Sequence, residues 1–192
     1  MSAPPHQCIL IPHVVPDHVS LLTTLLADVA WTSHMASRRT ASMGVPYNYG
    51  GASYPVTPWH PAVKALANKL TAHLGFTSTN CLLNYYPTGR HTMGWHADDT
   101  TILAEGTGVG IVSLGATRTL KLRARNESGF LYENLTLEAG SLLLMPAAMQ
   151  AHWRHAIKRE DVGEARVSLS FRQIVKWPEV PPEVPPLGDR NG

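Results

Sequence analysis

Hydrophobic residues recur at helical spacing in two segments of the first half of the chain. In the first segment, Asp17 precedes a run of apolar positions and predicts a capped amphipathic helix over about residues 18–30. In the second, Pro61 stands at a typical first helical position and Gly75 at a typical stop, which predicts a helix over about residues 61–74.

From Cys81 onward the pattern changes to short apolar runs separated by turn residues, which is typical of strands. The predicted strands are 82–86, 110–114, 118–123, 130–137, 141–145, 152–157 and 166–175. Such regular spacing favours an all-β sandwich or barrel. The predicted fold class is therefore α+β, mainly β, with two N-terminal helices packed on a β-core.

Two segments lack either pattern. Residues 37–58 are rich in Gly, Pro, Ser and Tyr, and we expect an exposed, mobile loop or a loosely paired hairpin there. Prolines recur from Trp177 onward, which predicts an extended arm over 177–192. The remaining residues, 1–176, are predicted to form a single domain.

Composition narrows the class of protein. The 192 residues are 44% hydrophobic, which fits one soluble globular domain. No apolar run is long enough for a membrane span, and the N-terminus lacks a secretory signal pattern. Cys8 and Cys81 alone cannot build a disulfide framework. We expect a cytoplasmic monomer in a reducing compartment.

The net charge of +2 permits nucleic-acid binding without arguing strongly for it. Basic residues do cluster, at Arg38 and Arg39, between Arg118 and Arg125, and between Arg154 and Arg159. A solvated strand face explains such clusters equally well.

A candidate metal site follows from three side chains. His96 and Asp98 stand two residues apart, so in extended backbone both point to the same side. His155, in a downstream apolar strand, would complete a two-His, one-carboxylate set, the usual sign of a non-haem Fe(II) oxygenase. His155 could instead be a core histidine, and His152 competes for the role of ligand. His91 sits in a turn-like segment and is expected to be exposed.

The segment 166–172 alternates polar and apolar residues. Arg166, Ser168, Ser170 and Arg172 share one face of the predicted strand, and apolar residues share the other. If the polar face looks outward, this is an ordinary edge strand. If it looks into the barrel, two buried guanidinium groups require anions, and a small dicarboxylate would satisfy both.

Taken together, these residues resemble the AlkB family of Fe(II)/2-oxoglutarate dioxygenases over about residues 39–175. The resemblance rests on the motifs Asn84-Tyr85-Tyr86-Pro87, Trp95-His96-Ala97-Asp98, Ser113-Leu114-Gly115-Ala116-Thr117-Arg118, Gly140-Ser141-Leu142-Leu143, His152-Trp153-Arg154-His155 and Arg166-Val167-Ser168-Leu169-Ser170-Phe171-Arg172. It implies a double-stranded β-helix (jelly-roll) core with flanking helices.

The resemblance also implies roles for these residues. His96, Asp98 and His155 would bind Fe(II), which decides between the two histidines in favour of His155. Five residues would bind 2-oxoglutarate: Asn84 and Tyr86 by hydrogen bonds, Arg166 at the distal carboxylate, Arg172 near the chelating end, and Ser168 in place of the family's asparagine. O2 would be the second co-substrate.

The implied activity is oxidative dealkylation of nucleobases in single- or double-stranded DNA or RNA, of the kind used in DNA repair. The segment 39–54 matches the family's substrate lid, with Tyr47 and Tyr49 as stacking or contact residues, although both tyrosines could merely pack the loop down. Thr100 stands where repair members usually carry an acidic residue, and Asp99 is adjacent.

Two alternatives remain open. A small metabolite or free nucleoside could be the substrate of the same chemistry, as the modest net charge and Thr100 favour. A catalytically silent binding module could also keep this fold, although the intact set of metal and arginine residues speaks against it.

Overall fold

The computed structural model describes residues 4–49 and 52–176. Its elements are β1 (Ile9–Ile11), α1 (His18–Asp28), β2 (Thr32–Met35), β3 (Arg38–Gly44), β4 (Tyr47–Tyr49), β5 (Ala52–Tyr54), α2 (Pro61–Leu74), β6 (Asn80–Tyr86), β7 (Met93–His96), β8 (Gly108–Gly115), β9 (Arg118–Asn126), β10 (Gly129–Leu137), β11 (Leu142–Pro146), a short 3-10 helix (Ala147–Ala151), β12 (Trp153–Ile157) and β13 (Arg166–Arg172). None of the helices in these ranges has the length and apolar character to cross a membrane.

Two antiparallel sheets carry most of the strands. The large sheet has the order β1-β11-β8-β13-β6-β3-β2, and the small sheet has the order β10-β9-β12-β7. From β6 onward the chain passes back and forth between the two sheets, except at the β9–β10 hairpin. This connectivity of eight strands is a jelly roll, as predicted.

The large sheet is buried on both faces. One face packs against the helices through residues such as Leu66, Leu70 and Leu169. The other face packs against the small sheet, where Leu82 and Trp153 belong to the same apolar cluster. Along β9 of the small sheet, buried residues alternate with half-buried or exposed ones, so its outer face is in contact with solvent. The candidate site lies between the two sheets.

Both predicted helices are confirmed, with a difference in how they begin. α2 starts at Pro61 and ends at Gly75, whose φ of 73° is the left-handed conformation that glycine adopts readily. The His60 side chain accepts a hydrogen bond from the Ala62 N–H at 3.2 Å. Asp17 does stand at the N-cap of α1, but its side chain makes no capping hydrogen bond.

The prediction of an exposed loop over residues 37–58 was wrong for its first part. Arg38–Gly44 forms a seven-residue strand whose members are buried except Arg39. It pairs antiparallel with β6 from Arg39 to Gly44. Small residues such as Ala41 and Ser42 obscured it, because they carry no apolar alternation yet fit closely between the neighbouring layers. A hairpin does follow, formed by β4 and β5.

The remaining strand predictions from Cys81 onward are confirmed to within a few residues. Both cysteines are free thiols. The predicted Pro-rich arm lies outside the described residues.

Candidate active site

Two histidines face each other on the inner side of the small sheet. The register of β12 with β7 places His155 directly opposite His96, and their ring centroids lie 4.1 Å apart. His155 is buried and His96 is half-buried. Trp153 and Ile157, which alternate with His155 along β12, also point into the core between the sheets.

Asp98 lies two residues beyond the end of β7 and completes the group. Its Oδ1 atom is 3.6 Å from His96 Nε2 and 3.9 Å from His155 Nε2. The Asp98 backbone N–H donates to Gln150 Oε1 at 3.0 Å, which fixes the loop that carries the carboxylate. One ligand atom from each of the three residues lies within 4.8 Å of the others, so one ion could be bound by all three.

The protonation states suit a metal. Burial lowers the pKa of His155 to about 4, and the pKa of His96 is lowered for the same reason, although Asp98 opposes both shifts. Burial raises the pKa of Asp98, but Arg172 and the two imidazoles outweigh it and hold that pKa at about 2. At neutral pH the site therefore offers two neutral imidazoles and one carboxylate, the forms that bind metal ions.

A backbone carbonyl selects the tautomer of His96. Its Nδ1 lies 2.9 Å from the Gly94 carbonyl oxygen, which can only accept. The ring therefore carries its proton on Nδ1 and its lone pair on Nε2, the atom nearest Asp98. The ligand nitrogen is thus oriented by the chain itself.

The carboxylate of Asp98 is balanced by a buried arginine. Arg172 Nη2 donates to Asp98 Oδ2 at 2.9 Å, and both side chains are 3% exposed. The guanidinium also lies over the Tyr47 ring, 4.9 Å from its centroid. One carboxylate oxygen thus faces Arg172 while the other faces the imidazoles.

The predicted co-substrate residues lie side by side on neighbouring strands of the large sheet. In the register of β13 with β6, Arg166 is opposite Tyr86 and Ser168 is opposite Asn84. These four residues and Arg172 line one cavity together with the histidine pair and Asp98. The structure therefore brings all eight residues to one place, and their individual roles remain predictions.

The polar face of β13 looks into the barrel, and Arg166 forms no ion pair there with any carboxylate of residues 4–49 and 52–176. Arg166 is 2% exposed and its Nη2 donates to Ser113 Oγ at 3.0 Å. Its Nε and Nη1, and the Nε of Arg172, have no hydrogen-bond partner among the described residues. A buried guanidinium with unused donors is costly unless an anion binds it. A carboxylate ligand fits this requirement.

Arg38 is a site residue that the sequence did not reveal. It is 4% exposed at the start of β3, and its Nε donates to Asn84 Oδ1 at 2.7 Å. This bond fixes the side-chain amide of Asn84 with its oxygen toward Arg38 and its NH2 group away from it. The two residues are 46 positions apart in the chain, so no local pattern could have linked them.

The predicted substrate residues differ from one another in burial and in the groups they contact. Tyr47 is 2% exposed and packs under Arg172, although it also lines a second cavity together with Asp99. Asp99 Oδ1 accepts from the Thr101 N–H at 2.9 Å. Thr100 is half-buried. The side chain of Tyr49 lies outside the described part of the chain.

Neither competing histidine joins the metal group. His152 follows the 3-10 helix and is exposed. His91 is half-buried rather than exposed as predicted, because its Nδ1 lies 3.1 Å from Thr88 Oγ1 within the turn.

A family model described as "2OG-Fe(II) oxygenase superfamily" matches residues 14–172, which include every residue of this cavity. The chain belongs to that superfamily. Its curated relatives place it in the AlkB family. The superfamily's metal is Fe(II), and its co-substrates are 2-oxoglutarate and O2. The His-Asp-His group fits that metal, and buried Arg166 with its unused donors fits a dicarboxylate.

Two human relatives illustrate the similarity. "Alpha-ketoglutarate-dependent dioxygenase alkB homolog 3" is 32% identical over 181 residues, covering 84% of this chain and 63% of the relative. "DNA oxidative demethylase ALKBH2" is 31% identical over 152 residues, covering 74% of this chain and 58% of the relative. This AlkB-family chain thus spans less than two thirds of the length of these relatives.

A solved structure described as "The structure of OsALKBH1" has the same fold. It superposes with a TM-score of 0.62 at 16% sequence identity, over 90% of this chain and 100% of that one. The similarity supports the jelly-roll assignment of this AlkB-family member.

Proposed function

We propose that this protein is an Fe(II)/2-oxoglutarate-dependent dioxygenase that oxidatively dealkylates nucleobases in DNA or RNA. The observation that carries the proposal is the single cavity in which His96, Asp98 and His155 lie beside the unbalanced buried Arg166. The names of the curated relatives, a dioxygenase and a DNA oxidative demethylase, support the reaction class and the nucleic-acid substrate.

In this proposal His96 Nε2, one oxygen of Asp98 and His155 bind Fe(II). When bound, Fe(II) with 2-oxoglutarate and O2 supplies the oxidising power to hydroxylate a C–H bond, and succinate and CO2 are the co-products. On an N-methyl group, hydroxylation gives an N-hydroxymethyl group that breaks down to formaldehyde and the free amine. The chain's own residues bind and orient these groups and exclude water from around them.

The large sheet would hold the 2-oxo acid. Arg166 binds its distal carboxylate with the donors left unused in the structure, and Tyr86 lies beside that guanidinium, with its ring centroid 5.3 Å from the Arg166 Cζ atom. Asn84, Ser168 and Arg172 bind the acid nearer the metal. Leu120 and Ile157 also line the cavity and give it apolar walls beside the polar groups.

The second candidate is hydroxylation or demethylation of a small metabolite or nucleoside by the same machinery. Thr100 favours it, because a hydroxyl group replaces the carboxylate that the AlkB resemblance leads us to expect there. The net charge of only +2 agrees with a substrate that carries few phosphates.

Formaldehyde release separates the two candidates. The protein with Fe(II), 2-oxoglutarate and O2 is given either a single-stranded oligonucleotide with one N-methylated base or the corresponding free nucleoside. The proposal predicts turnover of the oligonucleotide at low substrate concentration and a steep rise of KM with salt, because phosphate contacts release counterions. Turnover of the nucleoside alone, without salt dependence, would support the second candidate and refute the first.

A further inference from the structure

The outer face of the small sheet carries aromatic rings interleaved with cations. Its outward positions include Trp95 on β7, Arg123 on β9 and both Phe130 and Tyr132 on β10, and Lys158 lies just beyond β12. These five residues form the outer aromatic face. Phe130 is 50% exposed and Tyr132 is 59% exposed, although both belong to a well-formed strand.

The cations of this face are held against the rings. The Arg123 Cζ atom lies 4.5 Å from the centroid of Trp95 and 5.0 Å from that of Phe130. The Lys158 Nζ atom lies 5.0 Å from the Trp95 centroid. Such contacts immobilise the side chains before any ligand binds, so less conformational entropy is lost on binding.

Charge complementarity favours a polyanion. Two more cations, Arg125 and Arg154, are exposed at outward positions of the same sheet. None of the outward positions on the strands β7, β9, β10 and β12 carries a carboxylate. Glu133, the one acidic residue within β10, points to the inner side and lies 3.0 Å from His6. A surface of stacking rings and cations without carboxylates matches single-stranded nucleic acid.

The position of this face relative to the active site supports the same ligand. β7 is the edge strand of the small sheet, and it carries Trp95 on the outer side and His96 on the inner side. Only the thickness of this edge strand therefore separates the outer aromatic face from the metal group. A strand with one nucleotide in the active site could continue around the edge onto the face.

We propose that the outer aromatic face binds the single-stranded segment that flanks the target nucleotide. Bases stack on Phe130 and Tyr132, and phosphates contact Arg123, Arg125 and Arg154. The inference rests on the proposed function, since it assumes a nucleic-acid substrate. It adds a binding surface outside the catalytic cavity.

Substrate length tests this inference. The KM for a methylated trinucleotide, which fills only the active site, is compared with the KM for a single strand of about twelve nucleotides carrying the same base. The wild type should prefer the longer strand. The Phe130→Ala/Tyr132→Ala variant should lose about 10-fold of that preference, because stacking of each base is lost. The matched control is Val19→Ala/Val56→Ala, which truncates side chains that are 66% and 70% exposed elsewhere.

A charge variant tests the phosphate contacts. Arg125→Ala/Arg154→Ala should reduce the slope of log KM against log salt by about 1 to 2 for the longer strand, whereas Lys69→Ala on α2 should not. An unchanged length preference and salt slope in the variants, with a wild type that is active on both substrates, would overturn this surface and leave the proposed function standing. A wild type inactive on both would overturn both.

The exposed edge strand β10 suggests another occupant, a second copy of the chain. Sedimentation velocity of the wild type and of Phe130→Ala/Tyr132→Ala decides this point. A wild-type dimer that this variant dissociates would assign the face to self-association and overturn the inference.

Discussion

At the scale of single residues, the Arg172–Asp98 ion pair compensates the negative charge of the metal group. Both side chains are buried, so removing one partner leaves an uncompensated charge. We predict that Arg172→Met lowers the free energy of unfolding of the metal-free protein by about 3 kcal/mol. The double variant Asp98→Asn/Arg172→Met should lose less than the sum of the single losses. Additive losses in urea denaturation would show that the pair is not coupled.

The lowered histidine pKa values predict a pH dependence of stability. The unfolded imidazole of His155 binds a proton near pH 6.5, whereas the folded one resists protonation down to a pKa of about 4. The metal-free protein should therefore lose stability as pH falls from 6.5 to 4, by up to about 3 kcal/mol. His155→Gln should flatten this slope in urea denaturation at several pH values. An equal slope in both proteins would contradict the assignment.

Arg38 is predicted to act through Asn84. Its Nε–H bond to Asn84 Oδ1 orients the amide so that the NH2 group is presented away from Arg38. We predict that Arg38→Met weakens 2-oxoglutarate binding several-fold, since an amide free to flip loses part of one hydrogen bond. Calorimetry of 2-oxoglutarate binding to the Fe(II)-loaded protein without O2 measures this. Arg39→Met, the exposed neighbour, is the control, and equal affinities in both variants would exclude the role.

At the scale of elements, Gly44 anchors the base of the β4–β5 hairpin. Its φ of 91° is in the left-handed region, and a Cβ atom there would collide with the Thr79 carbonyl oxygen. Its N–H and carbonyl both bond with Thr57, at 2.8 and 3.1 Å.

We predict that Gly44→Ala destabilises the protein by at least 2 kcal/mol. Gly75→Ala is the matched control, because its φ of 73° is similar but nothing lies within 4 Å of the added Cβ. It should cost only about 1 kcal/mol, the price of a left-handed alanine. Thermal unfolding of both variants checks the difference, and equal losses would show that the collision is relieved.

The elements that the sequence predicted well are those whose side chains alternate or recur by period. β13 was predicted because Val167, Leu169 and Phe171 alternate with polar residues, and α2 because Pro61 and Gly75 mark its ends. β3 was missed because Arg38–Gly44 lacks such alternation: both of its faces are covered, so its burial depends on partners far along the chain. Alternation is visible where the two faces of a strand differ in polarity, as in β13, and is absent where both faces carry small or mixed side chains, as in β3.

The site residues also divide into those that a local sequence pattern predicts and those that only tertiary contacts reveal. His96 and Asp98 could be proposed from residue type and spacing, whereas the choice of His155 over His152 came from the AlkB resemblance; the pairing of β7 with β12 brings the two histidines together. Tyr47 was predicted to contact a substrate because residues 39–54 resemble the substrate lid of the AlkB family. The structure buries it under Arg172, which only the tertiary fold could reveal.

At the scale of the whole molecule, each of the two sheets supplies a different part of the candidate site. The large sheet supplies the arginines, Asn84 and Tyr86. The small sheet supplies the two histidines of the metal group, and the loop after β7 supplies its aspartate. The co-substrate and the metal would therefore meet between two layers that share one apolar cluster, and a second apolar cluster packs the large sheet against the helices. Sites built on packed strands hold their geometry better than sites on loops.

The most direct test of this account is succinate release from 2-oxoglutarate by the Fe(II)-loaded protein in the presence and absence of O2. Wild type is compared with His96→Ala and with His152→Ala, an exposed histidine three residues from His155. We predict O2-dependent succinate from the wild type and from His152→Ala, stimulated by a methylated oligonucleotide, and none from His96→Ala. Equal release from His96→Ala, or none from a wild type that has bound Fe(II), would contradict it.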